Sequence, residues 1–297
     1  MQAVYFLIVV LILNTVLFFM GNKVYFGKYS RVSLDYDAYL LADSHGMPLG
    51  NILEKCGIYN FSMSSDSYDD MYIKLKFLLD KTDVETIYIT ADDHTLSPYR
   101  ETGNTDRSKI FRTEKEFDNH YEYIKSRYIK RYLVFSQPKC LTVIISFILS
   151  KTKNGIKSAI GIKPGKTKSW AELSIDDRIK NAGGRMTGQF PSVNYSINVE
   201  LSLLGIITIC KQNNIRLIGI KFPLSSEYIT ILGDKTYGAD TILRANGIDV
   251  LDYKNLFIDK SEYFADQDHL NELGGKEFAE ILLENSNEER RNLEIIF

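Results

Sequence analysis

Cysteine is scarce: Cys56, Cys140 and Cys210 are the only three in 297 residues. Their odd number, wide spacing and apolar settings exclude a disulfide framework and mark them as buried thiols. Histidine is as rare, with four residues far apart and neither an H-x-x-x-H nor a C-x-x-C spacing. No metal set is therefore expected, and without a glycine-rich phosphate loop no cofactor is called for. A strong charge of either sign is also missing, since the net charge is -2. That balance excludes the basic face of a nucleic-acid-binding protein. Internal repeats are absent. What is present, 44% hydrophobic and 25% charged residues, suffices for one sizeable core or two small ones.

One apolar run is long enough to matter. Ala3 to Met20 is broken only by Asn14 and Thr15, and about 20 such residues cross a bilayer. No basic segment precedes the run, and Phe18-Phe19-Met20-Gly21 offers no small-x-small cleavage site. The expectation is an uncleaved transmembrane anchor over residues 1–22, with a buried core helix as the plain alternative. Lys23, Lys28 and Arg31 follow the run, and by the positive-inside rule they favour a cytoplasmic domain.

The chemistry centres on Ala38 to Gly46. Tyr39-Leu40-Leu41-Ala42 reads as a short buried strand running into a tight turn at Gly46-Met47-Pro48, with a helix expected to start over Leu49 to Lys55. Ser44 then stands at the carboxyl end of a strand, with amide donors able to hold an oxyanion. Its neighbour His45 is expected to point away. The base is sought at the far end of the chain, where Asp266 precedes His269 by three residues at a loop-to-helix junction. Asp266 can fix the His269 tautomer through Nδ1 and leave Nε2 for the Ser44 proton. Asp268 is the rival orienter, less well placed by its adjacency to His269.

Between these ends the chain alternates. Gly57 to Ser62 reads as a second strand, Tyr68 to Leu79 as an amphipathic helix with Asp69 and Asp70 in its first turn, and Thr86 to Thr90 as a third strand. Ala91-Asp92-Asp93-His94 follows. From about 97 to 194 the pattern lapses into a mainly helical and loop insertion. Glu114 to Tyr132 has helical spacing, Pro138 breaks a helix, and Leu141 to Leu149 is an apolar run flanked by Lys and Arg, suited to a core helix, a channel wall or a membrane surface. Lys151 to Lys168 reads as a loop of the kind that forms lids, and a short helix after Trp170 is expected to end at Gly183-Gly184. A helix over Ser196 to Asn213 and strands over Ile215 to Ile220 and Ile248 to Asp252 restore the α/β order. Such alternation implies a parallel sheet. In a flavodoxin-like order 2-1-3-4-5, the ends of the first and third strands flank one crevice.

The early Asp43-Ser44-His45 and the late Asp266-x-x-His269-Leu270-Asn271 together resemble the SGNH (GDSL-like) hydrolase family, over roughly residues 35–95 and 200–285. The likeness is greatest to the cell-envelope branch that adds or removes acyl groups on surface polysaccharide. A degenerate G-x-S-x-G elbow at Ala42 to Gly46 fits less well, because the serine follows the first strand and the acid lies beside the histidine. The resemblance implies a flavodoxin-like three-layer α/β sandwich over residues 23–297, with Ser44, Asp266 and His269 as the triad. The family's glycine before Asp-Ser is Ala42 here, its second-block glycine has no clear counterpart in Asn60 to Ser64, and its G-x-N-D reads Ala91-Asp92-Asp93-His94. Asp93 thus occupies the position of an asparagine oxyanion donor. Either a protonated Asp93 or the adjacent His94 takes that role, or the cluster is a solvated strand end. Asp43, His45, Asp92, Asp93 and His94 are accordingly the oxyanion and substrate-binding candidates.

Three functions follow. The first is a membrane-anchored serine O-acyltransferase or esterase acting on a cell-surface glycan, with the domain outside the membrane and a multi-span protein delivering the acyl group; these partners are implied by the resemblance. The second is a catalytically silent scaffold of the same fold that binds glycan or a membrane partner. The third, from the charge flank and the basic insertion, is a lipid esterase on the cytoplasmic face.

Overall fold

The computed structural model describes residues 2–104, 106–159 and 168–294, with side chains except those of 28, 154–159 and 285–294. Two compact units divide the chain: residues 1–32 with 105–167, and residues 33–104 with 168–297. The helices are α1 (Gln2–Gly21), α2 (Tyr68–Lys81), α3 (Tyr99–Gly103), α4 (His120–Ile124), α5 (Pro138–Ala159), α6 (Ile175–Gln189), α7 (Ile197–Gln212), α8 (Ser226–Leu232), α9 (Ala239–Ala245) and α10 (Glu272–Glu294).

The second unit is built on strands β1 (Ala38–Leu41), β2 (Ile58–Asn60), β3 (Thr86–Thr90), β4 (Arg216–Lys221) and β5 (Asp249–Asp252). All four pairings are parallel and the order is β2-β1-β3-β4-β5, as the sequence predicts. β1 and β3 are buried along their whole length, which is why they read as near-continuous apolar runs rather than alternating ones. On one face Leu40, Tyr88, Ile218 and Ile220 meet Trp170 and the α10 residues Phe278, Ala279 and Leu282. Burial of a side chain such as Phe278 or Leu282 contributes roughly 2–3 kcal/mol. Tyr39, Leu41, Ile87 and Ile89 alternate to the other face and are buried as well. There α2 packs against α7 and buries Met71, Leu75, Leu78, Leu203 and Ile206, completing a three-layer α/β sandwich.

Helix starts are set locally. At the head of α2 the Ser67 amide donates to Asp70 Oδ2 at 2.9 Å, a capping box that satisfies an otherwise orphaned donor. At α6 the Asp177 amide donates to Ser174 Oγ at 3.2 Å. The sequence reading stops α6 at Gly183-Gly184, but neither glycine has a positive φ, and the helix continues to Gln189. Two further expectations change. Of the span Glu114 to Tyr132, the helix begins only at His120, with α4 followed by a wider turn over Lys125–Lys130 and a last α-helical pair at Arg131 and Tyr132. Pro138 opens α5 rather than ending a helix, since a missing amide costs nothing in a first turn. Residues 151–159 of the expected lid continue α5, and 160–167 lie outside the described residues. Residues 168–194, read from sequence as insertion, belong to the second unit.

Two glycines are dictated by close approach. A Cβ on Gly46 would run into Ser62 Oγ and Ala42, and one on Gly275 into the Pro48 carbonyl. The turn after Ser44 and the start of α10 therefore fit against each other without room for a methyl group.

In the first unit, α1 is the one helix among the described residues long and apolar enough to cross a membrane. Val4 to Leu13 expose their side chains. The two polar residues within the run have dedicated partners: Asn14 Nδ2 donates to the Tyr132 carbonyl at 2.8 Å, Asn14 Oδ1 accepts from the Val134 amide at 3.1 Å, and Thr15 Oγ1 lies 2.7 Å from the Tyr132 hydroxyl. Around the end of α1, Tyr25, Phe26, Val134, Cys140 and Ile144 form a small core with Leu17, Phe18 and Met20.

Candidate active site

β1 lies between β2 and β3, so the chain reverses its winding direction at the carboxyl ends of β1 and β3, the place where open α/β sheets carry ligands. Asp43-Ser44-His45 follows β1 there. The turn is closed by the Gly46 amide donating to the Asp43 carbonyl at 3.3 Å. Asn60, at the end of β2, donates through Nδ2 to the Gly46 carbonyl at 2.9 Å and accepts the Ser62 amide at 3.1 Å. Short 3-10 turns at Met47–Leu49 and Leu53–Cys56 replace the helix expected after Ser44.

The last loop brings the base to this turn. His269 Nε2 lies 2.8 Å from Ser44 Oγ, and His269 Nδ1 lies 2.9 and 3.0 Å from the two Asp266 oxygens. Asp266 Oδ1 also accepts the backbone amides of Asp268 and His269 at 3.1 and 2.9 Å, which fixes the loop that presents the imidazole. Ser44 and His269 are partly accessible, as a nucleophile and its base must be. The structure thus joins Ser44, His269 and Asp266 in one hydrogen-bonded row.

Asp268, the rival orienter, faces inward. It accepts from Arg185 Nε at 2.8 Å and Gln189 Nε2 at 2.8 Å, with His45 Nε2 at 3.4 Å. Its Oδ1 still comes within 3.3 Å of His269 Nδ1. Burial alone would raise the Asp268 carboxyl, but the hydrogen bond and charge of His45, with His269 and Arg185, hold it well below the usual range.

His45 does not point into solvent. Its ring is buried, with Nδ1 2.6 Å from Asp92 Oδ2 and Nε2 towards Asp268. Burial would lower its pKa, yet the charges of Asp43 and Asp92 and the bonds to Asp268 and Asp92 raise it well above the ordinary value. Both ring nitrogens face carboxylates, an arrangement that favours the charged imidazole. Asp43, one residue before the nucleophile, accepts the His45 amide at 2.9 Å and pairs with the buried Arg100. Burial would raise Asp43, and Arg100, His45 and His94 overturn that and hold it well below the ordinary carboxylate range. Carboxylates and cations therefore alternate around the site: the buried Arg100, Asp43, His45, Asp92 and Asp268, then the half-buried Arg185. Such a cluster stabilises only if every member keeps its partner.

The third-block candidates fall into three places. Asp92 braces the sheet end, taking the Phe222 amide at 2.7 Å, Thr90 Oγ1 at 3.1 Å and His45. Asp93 turns to Lys221 Nζ at 2.5 Å and Lys254 Nζ at 3.3 Å. A carboxylate held between two ammonium groups accepts and does not donate, so Asp93 is not arranged as a stand-in for an asparagine oxyanion donor. His94 is buried, and burial with the adjacent Arg100 charge lowers its pKa. Its Nε2 accepts from Arg100 Nη2 at 2.8 Å, so that nitrogen is no oxyanion donor either. The solvated strand end considered from sequence also gives way, since Asp92, Asp93 and His94 are all buried.

Among the described residues, two groups of side chains carry metal-ligand atoms close together, Asp43 with His45 and His94, and His45 with Asp268 and His269. In the first, the Arg100 guanidinium bonds both Asp43 and His94, a cation already in place. In the second, the Arg185 guanidinium and the Gln189 amide already donate to Asp268 Oδ2, each at 2.8 Å, where an ion would sit. The sequence reading missed Arg100, Arg185, Gln189 and Asn60. The first three lie in what reads as insertion, and no spacing signals a lone buried cation.

No protein-family model matches the chain, and no curated protein matches it. Among solved structures it is similar to a proposed acylhydrolase from Bacteroides fragilis, with 9% identity and a TM-score of 0.42 over 90% of this chain and 95% of that one. It is also similar to a GDSL-like lipase from Bacteroides thetaiotaomicron, with 8% identity and a TM-score of 0.40 over 92% of this chain and 99% of that one. Likenesses at this level say nothing of substrate or residue roles. The strand order β2-β1-β3-β4-β5, with Ser44 after β1 and Asp266-x-x-His269 before α10, is the flavodoxin-like α/β order.

Proposed function

We propose that the chain is a serine esterase or O-acyltransferase that works through an acyl-enzyme on Ser44. The observation that carries this reading is the single hydrogen-bonded row from Ser44 Oγ through His269 to Asp266. His269 Nε2 takes the Ser44 proton as Oγ attacks an acyl carbonyl, then returns it to the leaving oxygen. Asp266 holds the tautomer and stabilises the imidazolium that forms. The Ser44 amide is the backbone donor for the oxyanion. A second nucleophile, water or a sugar hydroxyl, then attacks the acyl carbonyl while His269 removes its proton, and Ser44 leaves.

The finer reading is transfer to a cell-surface glycan by a protein anchored through α1. Its support is the length and apolarity of α1, together with the likeness of the two sequence motifs to envelope acyl-transfer proteins. Such an enzyme works outside the membrane and requires an acyl donor delivered across it by a multi-span partner. A fluorophosphonate probe is expected to add one label to the full chain and none to Ser44→Ala. A folded wild type that takes no label would sink the acyl-enzyme and leave the silent scaffold, which the commitment of Asp93 to two lysines favours. For orientation, protease added to intact cells is expected to digest the second unit. Protection until the cells are permeabilised would place it on the cytoplasmic side, as the charges after α1 suggest.

A further inference from the structure

The first unit contains a cavity of about 570 Å³ whose wall includes Tyr25 and Phe26, just past α1, and residues from 106–112, 126–131 and 136–140. Six cations line it, Lys109, Arg112, Arg127, Lys130, Arg131 and Lys139, against the single carboxylate of Asp106. That carboxylate is shared between Lys109 and Lys139, each at 3.1 Å. Arg131 lies over the Phe26 ring at 4.9 Å and donates to the neutral Asn22 Oδ1 at 2.9 Å, while its buried Nε has no hydrogen-bond partner. Arg112 Nε likewise has no hydrogen bond, its ion-pair partner Glu116 standing 3.8 Å away. Burial first, and then the charge of Arg127, depress the Arg131 pKa. Like charges gathered around a void repel one another, and an anion within it removes that repulsion.

The position of the cavity narrows what the anion is. Arg131 reaches Asn22, the first residue after α1, whereas the main chain of Tyr132 and Val134 bonds Asn14, eight residues earlier in the same run. At the helical rise that is a depth difference of about 12 Å. The apolar side chains Leu133 and Phe135, both exposed, belong to the deeper level, and the cations to the end of the run. Cations above exposed apolar side chains reproduce the order of phosphate above acyl chain in a lipid. We propose that this cavity is a binding site for a phosphate ester, supplied by an anionic lipid whose chains lie along Leu133 and Phe135. The assignment rests on α1 lying in a bilayer. Arginines bind a phosphate through paired N–H groups, and basic pockets beside membrane helices take anionic headgroups in this way.

The test is calorimetric titration of the full chain in a neutral maltoside detergent with dihexanoyl phosphatidylglycerol, dihexanoyl phosphatidylcholine and glycerol phosphate. Phosphatidylglycerol is expected to bind saturably, and the Arg127→Gln/Arg131→Gln variant to bind it about tenfold or more weakly. A variant of exposed lysines in the other unit, Lys211→Gln/Lys276→Gln, should bind as wild type does. Lys130→Gln, at an exposed position, serves as the graded change if the double arginine variant melts below wild type. Binding of glycerol phosphate as tight as that of the lipid would assign the site to a soluble phosphate ester. Equal binding of phosphatidylcholine, or undiminished binding by the folded cavity variants, would overturn the proposal.

Discussion

His269→Ala is expected to lower kcat/KM towards p-nitrophenyl acetate on the order of 10⁴-fold, and Ser44→Ala by a similar factor, with little further loss in the double variant. The two residues act in one step, the transfer of a proton across 2.8 Å from Oγ to Nε2, so removing either removes the same step. Asp266→Ala should cost less, on the order of 10²-fold. Two facts limit that loss. Asp266 is partly exposed, so water can fill its place, and Asp268 Oδ1 stands 3.3 Å from the same ring nitrogen. Asp268 is nevertheless no full substitute, because Arg185 and Gln189 already hold its other oxygen. Steady-state hydrolysis by the full chain in detergent measures all three. A His269→Ala variant hydrolysing as fast as wild type would remove the triad from the mechanism.

The hydrogen-bonded row of Ser44, His269 and Asp266 was readable because its members carry their own local geometry. Asp266 and His269 are one turn of chain apart, and Ser44 sits at the end of an apolar strand flanked by glycine and proline. The strand order was readable for a similar reason, since β1, β3 and β4 are short apolar runs and β3 and β4 each follow a helix of similar length, α2 and α7. The buried ring around the triad was not readable. His45 and Ser44 are neighbours whose side chains part as expected, but the direction in which His45 leaves depends on Asp92 and Asp268, 47 and 223 residues away. Arg185 could not be placed either, because Gly183-Gly184 reads as a helix end. It does so only where φ turns positive, and here both glycines stay helical with open space where a Cβ would stand. The helix therefore runs another turn and delivers Arg185 and Gln189 to Asp268. Asp93 misleads in the opposite way, since sequence position puts it beside the nucleophile while Lys221 and Lys254 draw it to the neighbouring strands.

His45→Gln should destabilise the second unit by about 3–5 kcal/mol near pH 6, because it leaves Asp92 and Asp268 buried without the cation between them. The pH dependence gives the sharper test. His45 has a folded pKa well above its ordinary 6.5, so its contribution is complete below 6.5 and is lost as pH rises through the folded value. Asp43 and Asp268 have folded pKa values well below the ordinary 3.8, so theirs is complete above 3.8 and is lost as pH falls through the depressed values. Wild-type stability should accordingly fall above about pH 6.5 through His45 and below about pH 4 through the carboxylates, while between them His94, whose folded pKa is depressed, adds a decline as pH drops below 6.5. Guanidinium unfolding from about pH 3 to pH 9, followed by Trp170 fluorescence, reads both limbs, since Trp170 is buried in the core of this unit. In His45→Gln the alkaline limb should flatten and stability near pH 6 should drop, while the acid limb persists. An alkaline limb unchanged in that variant would show that His45 is not the charged link between the nucleophile turn and the loop of its base. The ring would then be held by Arg100 and Arg185 alone, and Arg100→Met would carry the whole loss instead.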